Sequence, residues 1–283
     1  MNEQATALQE YIRRKNLQKV VREREKTTSE GTRVSTVTSG KGGVGKTTIA
    51  LNMALASEKK TLVVDGDLYM GDLATFTNES SNISWGQIIW DHEKWPDGII
   101  KLSNTTDVFA PTSLENFGDE GKSVSKALLH LLGQWRKEYD YIIIDTATGL
   151  GAQVLEWCLA ADQVILVVTP DPAACTDGYA LLKALHLTGE VREMGVLVNQ
   201  YLESDDPSEI FAQLVLLSER FLDREIHNYG TIPWSTEVIT ASRDQRPVLR
   251  RTPESGLRKD FRLPLTHIEH THPKEHKYVT ISG

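Results

Sequence analysis

The feature that most constrains this fold is a glycine-rich segment, residues 40–47, set between a short β-rich run and a helical stretch. It reads Gly-Lys-Gly-Gly-Val-Gly-Lys-Thr and fits the pattern G-x-x-x-x-G-K-[ST]. Glycines let the backbone curl until its N–H groups point inward at a phosphate. The helix that begins near Lys46 adds the positive end of its dipole. The segment therefore predicts a P-loop, preceded by a strand over 34–39 and followed by a helix over 49–56.

Apolar runs and helical segments alternate along the rest of the chain. The runs cover 62–65, 141–145, 164–168 and 195–198, and the helical segments lie near 122–137, 152–160, 176–187 and 207–222. Uninterrupted Val, Ile and Leu runs are typical of strands that are buried on both faces. The pattern predicts an α/β P-loop NTPase fold, a mostly parallel sheet sandwiched by helices, as one domain over residues 32–265.

Composition limits the partners and the compartment. The formal net charge of −8 gives no reason to expect nucleic acid or an anionic membrane as a partner. No apolar run approaches the ~18–20 residues of a membrane span, and no leader resembles a signal peptide. Cys158 and Cys175 lack Cys-x-x-Cys spacing and are expected to be buried thiols in a reducing cytosol. A cytoplasmic protein is expected, with a peripheral position at the inner face of the cell membrane or the cell pole left open.

The two ends of the chain differ in character from the middle. Residues 1–31 are predicted to be a helical arm and linker, because apolar residues recur at helical spacing and residues 1–26 carry seven basic and four acidic side chains. Packing on the main domain and binding of a partner both stay open as roles of this amphipathic helix. Residues 266–283 form a polar tail with four histidines, which lacks the fixed spacing and the scaffold of a metal site. We expect this tail to be disordered.

Acidic residues end two of the apolar runs. Asp65 and Asp145 are the last residues of their runs, and Asp67 follows Asp65 at a spacing of two. An unpaired carboxylate in a core is costly, so acids at these positions indicate a role at the phosphates. Carboxylates beside a triphosphate can hold Mg²⁺ through water or orient an attacking water.

Three residues of the glycine-rich segment carry its charge chemistry. Lys46 is expected to reach the β- and γ-phosphates, and Thr47 is expected to ligate Mg²⁺. Lys41 is a second cation within the loop, which acts on its own phosphates or reaches the nucleotide of another subunit. Gly149 and Gly151, after Asp145, favour a flexible loop that responds to the γ-phosphate.

Several segments together resemble the MinD/ParA (SIMIBI) group of ATPases, which have a deviant Walker A motif. They are SGKGGVGKTTIALNMAL at 39–55, Asp65 with Asp67, DYIIIDTATGL at 140–150, TPDPAACTDGYALLKAL at 169–185, VLVNQ at 196–200 and GTIP at 230–233. Within that group, segment 169–185 and the opening EQATAL at 3–8 most resemble the FlhG/FleN branch of flagellar-number regulators. The resemblance covers roughly residues 33–263.

The resemblance implies roles for residues at matching positions. Lys41 would cross a face-to-face dimer to the partner's nucleotide, Lys46 would bind phosphate, and Asp67 would position the hydrolytic water. The implied Mg²⁺ set is Thr47, Asp65, Asp67 and Asp145. The implied set for ATP or ADP is Gly40, Lys41, Gly42, Gly43, Val44, Gly45, Lys46, Thr47, Thr48, Asn199, Pro233 and Trp234. Of these, Asn199 would read adenine, and Pro233 with Trp234 would lie against the base. Asp171 and Asp177 match positions that engage the signature lysine or the dimer partner.

Some segments depart from the FlhG/FleN pattern. Glu3 and Gln9 stand for the acid and the arginine of the N-terminal motif of that branch. Residues 68–73 read LYMGDL and look more like the pilus-associated CpaE/TadZ relatives, and residues 146–149 show a different order of small residues. The last helix, expected near 253–261, is mixed in charge and does not match the amphipathic membrane helix that ends MinD-type relatives. These departures leave the client system open.

The resemblance implies an ATPase that acts as an ATP-dependent dimerisation switch and regulates the placement or number of flagella, with slow, partner-stimulated turnover. The implied partners are a second copy, an FlhF-like flagellar GTPase bound through residues 1–25, and a transcription regulator or flagellar switch proteins. Two alternatives stay open: a positioning ATPase for cell division or pilus assembly, and a non-catalytic nucleotide-binding regulator that sequesters a transcription activator. A metal-cluster ATPase of the same fold needs paired interface cysteines, which the spacing of Cys158 and Cys175 does not provide.

Overall fold

A central sheet organises the part of the chain that the structure, a computed structural model, describes: residues 18, 20, 21, 31–71, 73–113, 121–188 and 191–270, with the backbone alone over 121–126 and 267–270. Within these ranges its eight strands are β1 (Arg33–Thr38), β2 (Thr61–Asp65), β3 (Ile99–Lys101), β4 (Thr106–Phe109), β5 (Tyr141–Asp145), β6 (Gln163–Val168), β7 (Glu193–Tyr201) and β8 (His227–Pro233). They lie in the order β3-β4-β2-β5-β1-β6-β7-β8. Neighbouring strands pair in parallel, except for the antiparallel β3 and β4. The prediction of a mostly parallel sheet is confirmed.

Helices cover both faces of this sheet. In the described ranges they are α1 (Lys46–Ala56), α2 (Leu73–Thr77), α3 (Trp85–Trp90), α4 (Gly121–Trp135), α5 (Ala152–Ala160), α6 (Pro172–Thr188), α7 (Pro207–Leu222), α8 (Thr236–Arg243), α9 (Val248–Arg251) and α10 (Arg258–His270), with a 3-10 helix at His92–Gly98. Buried side chains of α4–α7 form a hydrophobic cluster with one face of the sheet. Those of α1 and α8–α10 form a second cluster with the other face.

Successive residues of a central strand serve the two faces in turn. In β5, Ile142 and Ile144 pack with the α4–α7 layer, whereas Tyr141 and Ile143 pack with α1 and the C-terminal helices. Because side chains alternate across a strand, a strand covered on both faces is apolar at nearly every position. The carboxyl ends of the parallel strands share one edge of the sheet, so the P-loop and the strand-end acids meet there.

The C-terminal end of the described chain differs from the expectation. The helix expected near 253–261 is wrong in its bounds, because α9 ends at Arg251 and α10 runs on to His270. The first residues of the expected disordered tail, 266–270, are therefore helical. Phe261 and Leu265, one helical turn apart, are 1% and 2% exposed and belong to the same buried cluster as α1. Their burial anchors α10 to the core as far as residue 265. Residues 271–283 lie outside the described residues.

The N-terminal arm is described at Gln18, Val20 and Val21, which are helical. Val20 is 2% exposed and belongs to the cluster of the α4–α7 layer, where it borders a small apolar cavity with Leu128, Leu132 and Trp157. This part of the arm therefore packs on α4 and α5. The predicted amphipathic helix over the remainder of 1–26 lies outside the described residues.

Two further expectations concern the cysteines and membrane spans. Cys158 and Cys175 are free and buried, as predicted, and burial raises the pKa of the Cys158 thiol to about 12. No helix among the described residues is long and apolar enough to cross a membrane.

Candidate nucleotide-binding site

The P-loop connects β1 to α1 and requires glycine near both of its ends. A Cβ on Gly40 would lie 2.3 Å from the carbonyl oxygen of Asp177, because the loop passes against the backbone of α6. Gly45 has a φ of +93°, and its Cβ would lie 2.6 Å from the amide nitrogen of Asn199. Directly behind Gly45, α1 begins at Lys46 and runs for 11 residues. The loop thus leads into a helix N-terminus, where unsatisfied N–H groups and the dipole favour an anion.

The two polar residues that open α1 contact the loop after β5. Lys46 Nζ donates a hydrogen bond to Thr148 Oγ1 at 2.9 Å, and Thr47 Oγ1 donates to Asp145 Oδ2 at 2.6 Å. Lys46 is buried, at 9% exposed. The structure therefore brings together three of the residues that were expected to meet the phosphates and Mg²⁺: Lys46, Thr47 and Asp145.

Asp65 lies beside Asp145, since the two residues pair in register between β2 and β5. Burial, and then the charge of Asp145, raise the pKa of the Asp65 carboxyl well above its usual range. Its oxygens accept hydrogen bonds from the N–H groups of Asp67 at 3.2 Å and Leu73 at 3.3 Å. Gly71 covers the carboxylate so closely that a Cβ there would lie 2.2 Å from Oδ2.

Asp67, the predicted water-positioning residue, shapes the turn that follows it. Its Oδ1 accepts hydrogen bonds from the N–H groups of Tyr69 at 3.1 Å and Met70 at 3.0 Å. The side chains of Tyr69 and Met70 are 60% and 78% exposed. A substitution that removes this acceptor would therefore alter the turn as well as any catalytic contact.

The residues present fit a Mg²⁺ ion that is shared with phosphate. Thr47 and Asp145 offer hard oxygen atoms within one hydrogen bond of each other, which is the donor type that Mg²⁺ prefers. The described residues include no cluster of three or more His, Cys, Asp or Glu side chains that could hold a metal alone. Phosphate oxygens and water would complete the shell. Asp65, whose oxygens already bind backbone N–H groups, would act through Asp145 or through water.

Lys41 points to a different neighbour from Lys46. Its Nζ lies 2.8 Å from Asp171 Oδ1, and the two side chains are 41% and 36% exposed. Asp171 also accepts hydrogen bonds from Thr169 Oγ1 at 2.6 Å and from the Ala174 N–H at 2.9 Å. The Lys41 ammonium, followed by the Thr169 hydroxyl, lowers the pKa of Asp171 to about 2. The backbone of Asp177 lies against Gly40, and its contact with a dimer partner stays a prediction.

A cavity of about 150 Å³ lies beside the P-loop on the side of β7 and β8. Its lining includes Gly45, Thr48, Asn199, Pro233 and Trp234, so the structure brings the expected base-binding residues together. Asn199 is buried, and its amide donates a hydrogen bond to the Val44 carbonyl at 2.8 Å. Asn199 therefore attaches the P-loop to β7 beside this cavity.

Several residues of the site were not among the predictions. Thr148 is the hydrogen-bond partner of Lys46. The cavity is also lined by Gln200, Phe261, Ile49, Ile232, Ser235, Val238 and Ile239. Gln200 directly follows Asn199 and has a φ of +61°. Thr148 and Phe261 come from segments far apart in the sequence, so no local spacing indicated them.

Comparisons with known proteins agree with this geometry. A family model described as an AAA domain matches residues 32–196. The antiactivator FleN of Pseudomonas aeruginosa is 28% identical over 233 residues, which cover 81% of this chain and 83% of FleN. The flagellum site-determining protein YlxH of Helicobacter pylori is 27% identical over 238 residues, which cover 80% of this chain and 78% of YlxH. The structure of the septum site-determining protein MinD from Pyrococcus horikoshii, complexed with Mg-ADP, has a TM-score of 0.68 and 24% identity, covering 84% of this chain and 96% of that one.

A glycine loop between a strand and a helix, with strand-end acids beside it, defines the class of P-loop ATPases. The family match covers more than half of the 283 residues, and the chain therefore belongs to the AAA domain family. The similar proteins and the shared fold confirm the predicted resemblance to the MinD/ParA ATPases, with a FleN-type regulator among the relatives.

Proposed function

We propose that this protein is an ATP-dependent dimerisation switch that regulates the placement or number of flagella, with slow and partner-stimulated hydrolysis. The observation that carries the proposal is the position of Lys41. The two lysines of the P-loop have different partners. Lys46 donates a hydrogen bond to Thr148, whereas Lys41 forms a half-exposed ion pair with Asp171. Its ammonium is thus placed at the surface of the loop, where the nucleotide of a second copy could approach.

The pair of Lys41 and Asp171 has the properties of an exchangeable contact. Asp171 stays ionised at every physiological pH because Lys41 lowers its pKa to about 2. An exposed ion pair contributes little net stability, since water screens both charges. The several negative charges of a triphosphate offer Lys41 a stronger partner. When two copies associate with ATP bound, Lys41 would therefore leave Asp171 and bind phosphate at little cost in free energy.

The remaining residues perform the hydrolytic step. Lys46 and the N-terminus of α1 bind phosphate, and Thr47 with Asp145 would hold Mg²⁺. Bound Mg²⁺ supplies charge neutralisation across the phosphate oxygens. Asp67, held in its turn by the N–H groups of Tyr69 and Met70, would orient the attacking water through its free carboxylate edge.

Two relatives support the flagellar part of the proposal. FleN is named an antiactivator and YlxH a flagellum site-determining protein, and each covers about four-fifths of this chain. We extend this role to the present protein, together with a second copy, an FlhF-like GTPase, and a transcription regulator or flagellar switch proteins as partners. We expect the segments 68–73 and 146–149, which depart from the FlhG/FleN pattern, to differ between proteins that serve different client systems.

The first prediction tests the switch with light scattering of the purified protein in ATP and Mg²⁺. Asp67→Asn keeps an oxygen for the N–H groups of Tyr69 and Met70 and removes only the carboxylate, so we expect a long-lived dimer. Lys41→Ala should stay monomeric, whereas Lys59→Ala, which removes an exposed lysine elsewhere, should behave as the wild type. The switch is refuted if the wild type stays monomeric with ATP and neither Asp67→Asn nor Asp67→Ala gains a dimer.

The antiactivator name of FleN favours one second candidate, a non-catalytic regulator that holds nucleotide for structure. The contacts of Lys46, Thr47 and Asp145 argue for intact chemistry. A steady-state phosphate-release assay separates the two: release that depends on Asp67 supports the switch, and binding of ATP without release supports the regulator.

A further inference from the structure

The loop that follows β5 makes one polar contact with the P-loop lysine that the proposed mechanism does not use. Thr148 Oγ1 accepts a hydrogen bond from Lys46 Nζ at 2.9 Å. Thr148 lies in the segment 146–149, between Asp145 and the start of α5. We propose that Thr148 is a specificity-determining residue that reads the γ-phosphate and so distinguishes ATP from ADP.

The residues on either side of Thr148 bind the end of β1 and the start of the P-loop. Thr146 Oγ1 donates to the Val37 carbonyl at 3.1 Å, and the Gly149 N–H donates to the Ser39 carbonyl at 3.0 Å. These bonds attach the loop after β5 to the end of β1 and the start of the P-loop. A Cβ on Gly42 would lie 3.9 Å from Thr148 Oγ1, which places this hydroxyl over the P-loop.

The hydrogen-bonding capacity of the Thr148 hydroxyl supports the assignment. A hydroxyl that accepts a bond from an ammonium keeps its own O–H to donate. Lys46 is the residue that reaches the β- and γ-phosphates in P-loop proteins. The Thr148 O–H is therefore within one hydrogen bond of the group that binds the γ-phosphate, and a phosphate oxygen bound by Lys46 is the acceptor within its reach.

The same loop connects Thr148 to an exposed residue in front of α5. Gly149, with a φ of +95°, follows Thr148, and Leu150, at 44% exposed, precedes the start of α5 by two residues. A bond from Thr148 to the γ-phosphate would fix the loop when ATP is bound and release it when ADP remains. This inference rests on the proposed switch. It names Thr148 as the residue whose contact makes the conformation of the loop depend on the γ-phosphate.

The test compares Thr148→Val, which removes the hydroxyl at equal size, with Thr148→Ser, which keeps it. Calorimetry measures the affinities of both variants and the wild type for Mg–AMPPNP and Mg–ADP. A hydrogen bond to a charged group is worth about tenfold or more in affinity, so we expect Thr148→Val to lose about tenfold for AMPPNP only. Affinity for ADP should change by less than about twofold, and Thr148→Ser should match the wild type for both nucleotides.

Equal losses for the two nucleotides, no loss at all, or a failure of Thr148→Ser to restore AMPPNP affinity would each overturn the inference. Thr148 is exposed, so its replacement leaves the core intact, and Thr148→Ala provides a second hydroxyl-free variant with the same expected ratio. Light scattering on the same samples keeps the two proposals apart. A wild type that binds AMPPNP as a monomer refutes the dimer switch, while the ratio of the two affinities still decides the role of Thr148.

Discussion

Asp65 is the residue at which burial opposes charge most strongly in this molecule. Its carboxyl lies under Gly71 and next to Asp145, and both burial and the neighbouring charge raise its pKa. Two backbone N–H groups offset part of this cost without removing it. A site that holds phosphate and Mg²⁺ gains from such an acid, because added positive charge relieves a repulsion that already exists in the fold.

The raised pKa predicts how the stability of the nucleotide-free protein depends on pH. An acid with a raised folded pKa binds more protons when folded, so its penalty is absent below the unfolded pKa of about 3.9 and complete above the folded pKa. The unfolding free energy of Asp65→Asn minus that of the wild type should therefore rise with pH, from about pH 4 until the pH passes the raised pKa of the folded state. Urea unfolding at several pH values measures it.

The slope of this difference, and not its absolute value, isolates the titration of Asp65. The amide of the Asn variant faces the Leu73 N–H, and that cost does not change with pH. Asp65→Ala, the other uncharged variant, should give the same slope. A flat difference in both variants would show that Asp65 titrates in the folded protein as it does in the unfolded chain.

At the scale of elements, the sequence indicates best the strands that are covered on both faces. Residues 141–145 were predicted with their bounds because every position of β5 is buried, and the bounds of α5 and α7 were also predicted. The strands β3, β4 and β8 were missed. They are short or interrupted: β4 carries a buried Asp107 that is bound by Tyr139, and β8 contains Gly230 and ends at Pro233. Such strands depend on partners that the local pattern does not contain.

In the candidate site, too, the sequence indicates residues that their neighbours mark and does not indicate contacts between distant positions. The glycine loop, Thr47 and the strand-end acids were predictable, because each is marked by its own neighbours in the sequence. The bonds from Lys41 to Asp171 and from Lys46 to Thr148 join residues that are 130 and 102 positions apart. No spacing rule connects such positions, so only the resemblance indicated Asp171, and Thr148 was not indicated.

The last described helix, α10, gives a further prediction at the scale of elements. It contributes a side chain both to the hydrophobic core and to the cavity beside the P-loop. Phe261 is 1% exposed and lines that cavity, whereas Leu263, on the same helix, is 40% exposed. Phe261→Ala should lower the unfolding free energy by about 3–5 kcal/mol and weaken nucleotide binding. Leu263→Ala should cost less than about 1 kcal/mol. Urea unfolding and calorimetry test both, and equal costs would show that α10 is not anchored through Phe261.

At the scale of the whole molecule, the described part of the N-terminal arm packs on the helical layer that contains α5, the helix that follows the loop after β5. Val20 is buried against α4 and α5, and α5 begins directly after the loop 146–151. The arm thus has a packing contact whatever partner it binds, and the two roles left open by the sequence are compatible. A truncation has to separate them, since deletion of residues 1–25 removes the packing residues Val20 and Val21 as well.

The separating experiment compares deletion of residues 1–17 with deletion of residues 1–25. Both should abolish the stimulation of phosphate release by an FlhF-like GTPase, if the arm contacts this partner through its first residues. Deletion of 1–25 should also lower stability, because loss of a buried valine costs roughly 1.5–3 kcal/mol. Val20→Ala in the full chain should lower stability and keep the stimulation. Stimulation that survives deletion of 1–17, with ATP binding intact, would show that the first residues of the arm do not contact the partner. Stimulation that also survives deletion of 1–25 would leave these residues a packing role alone.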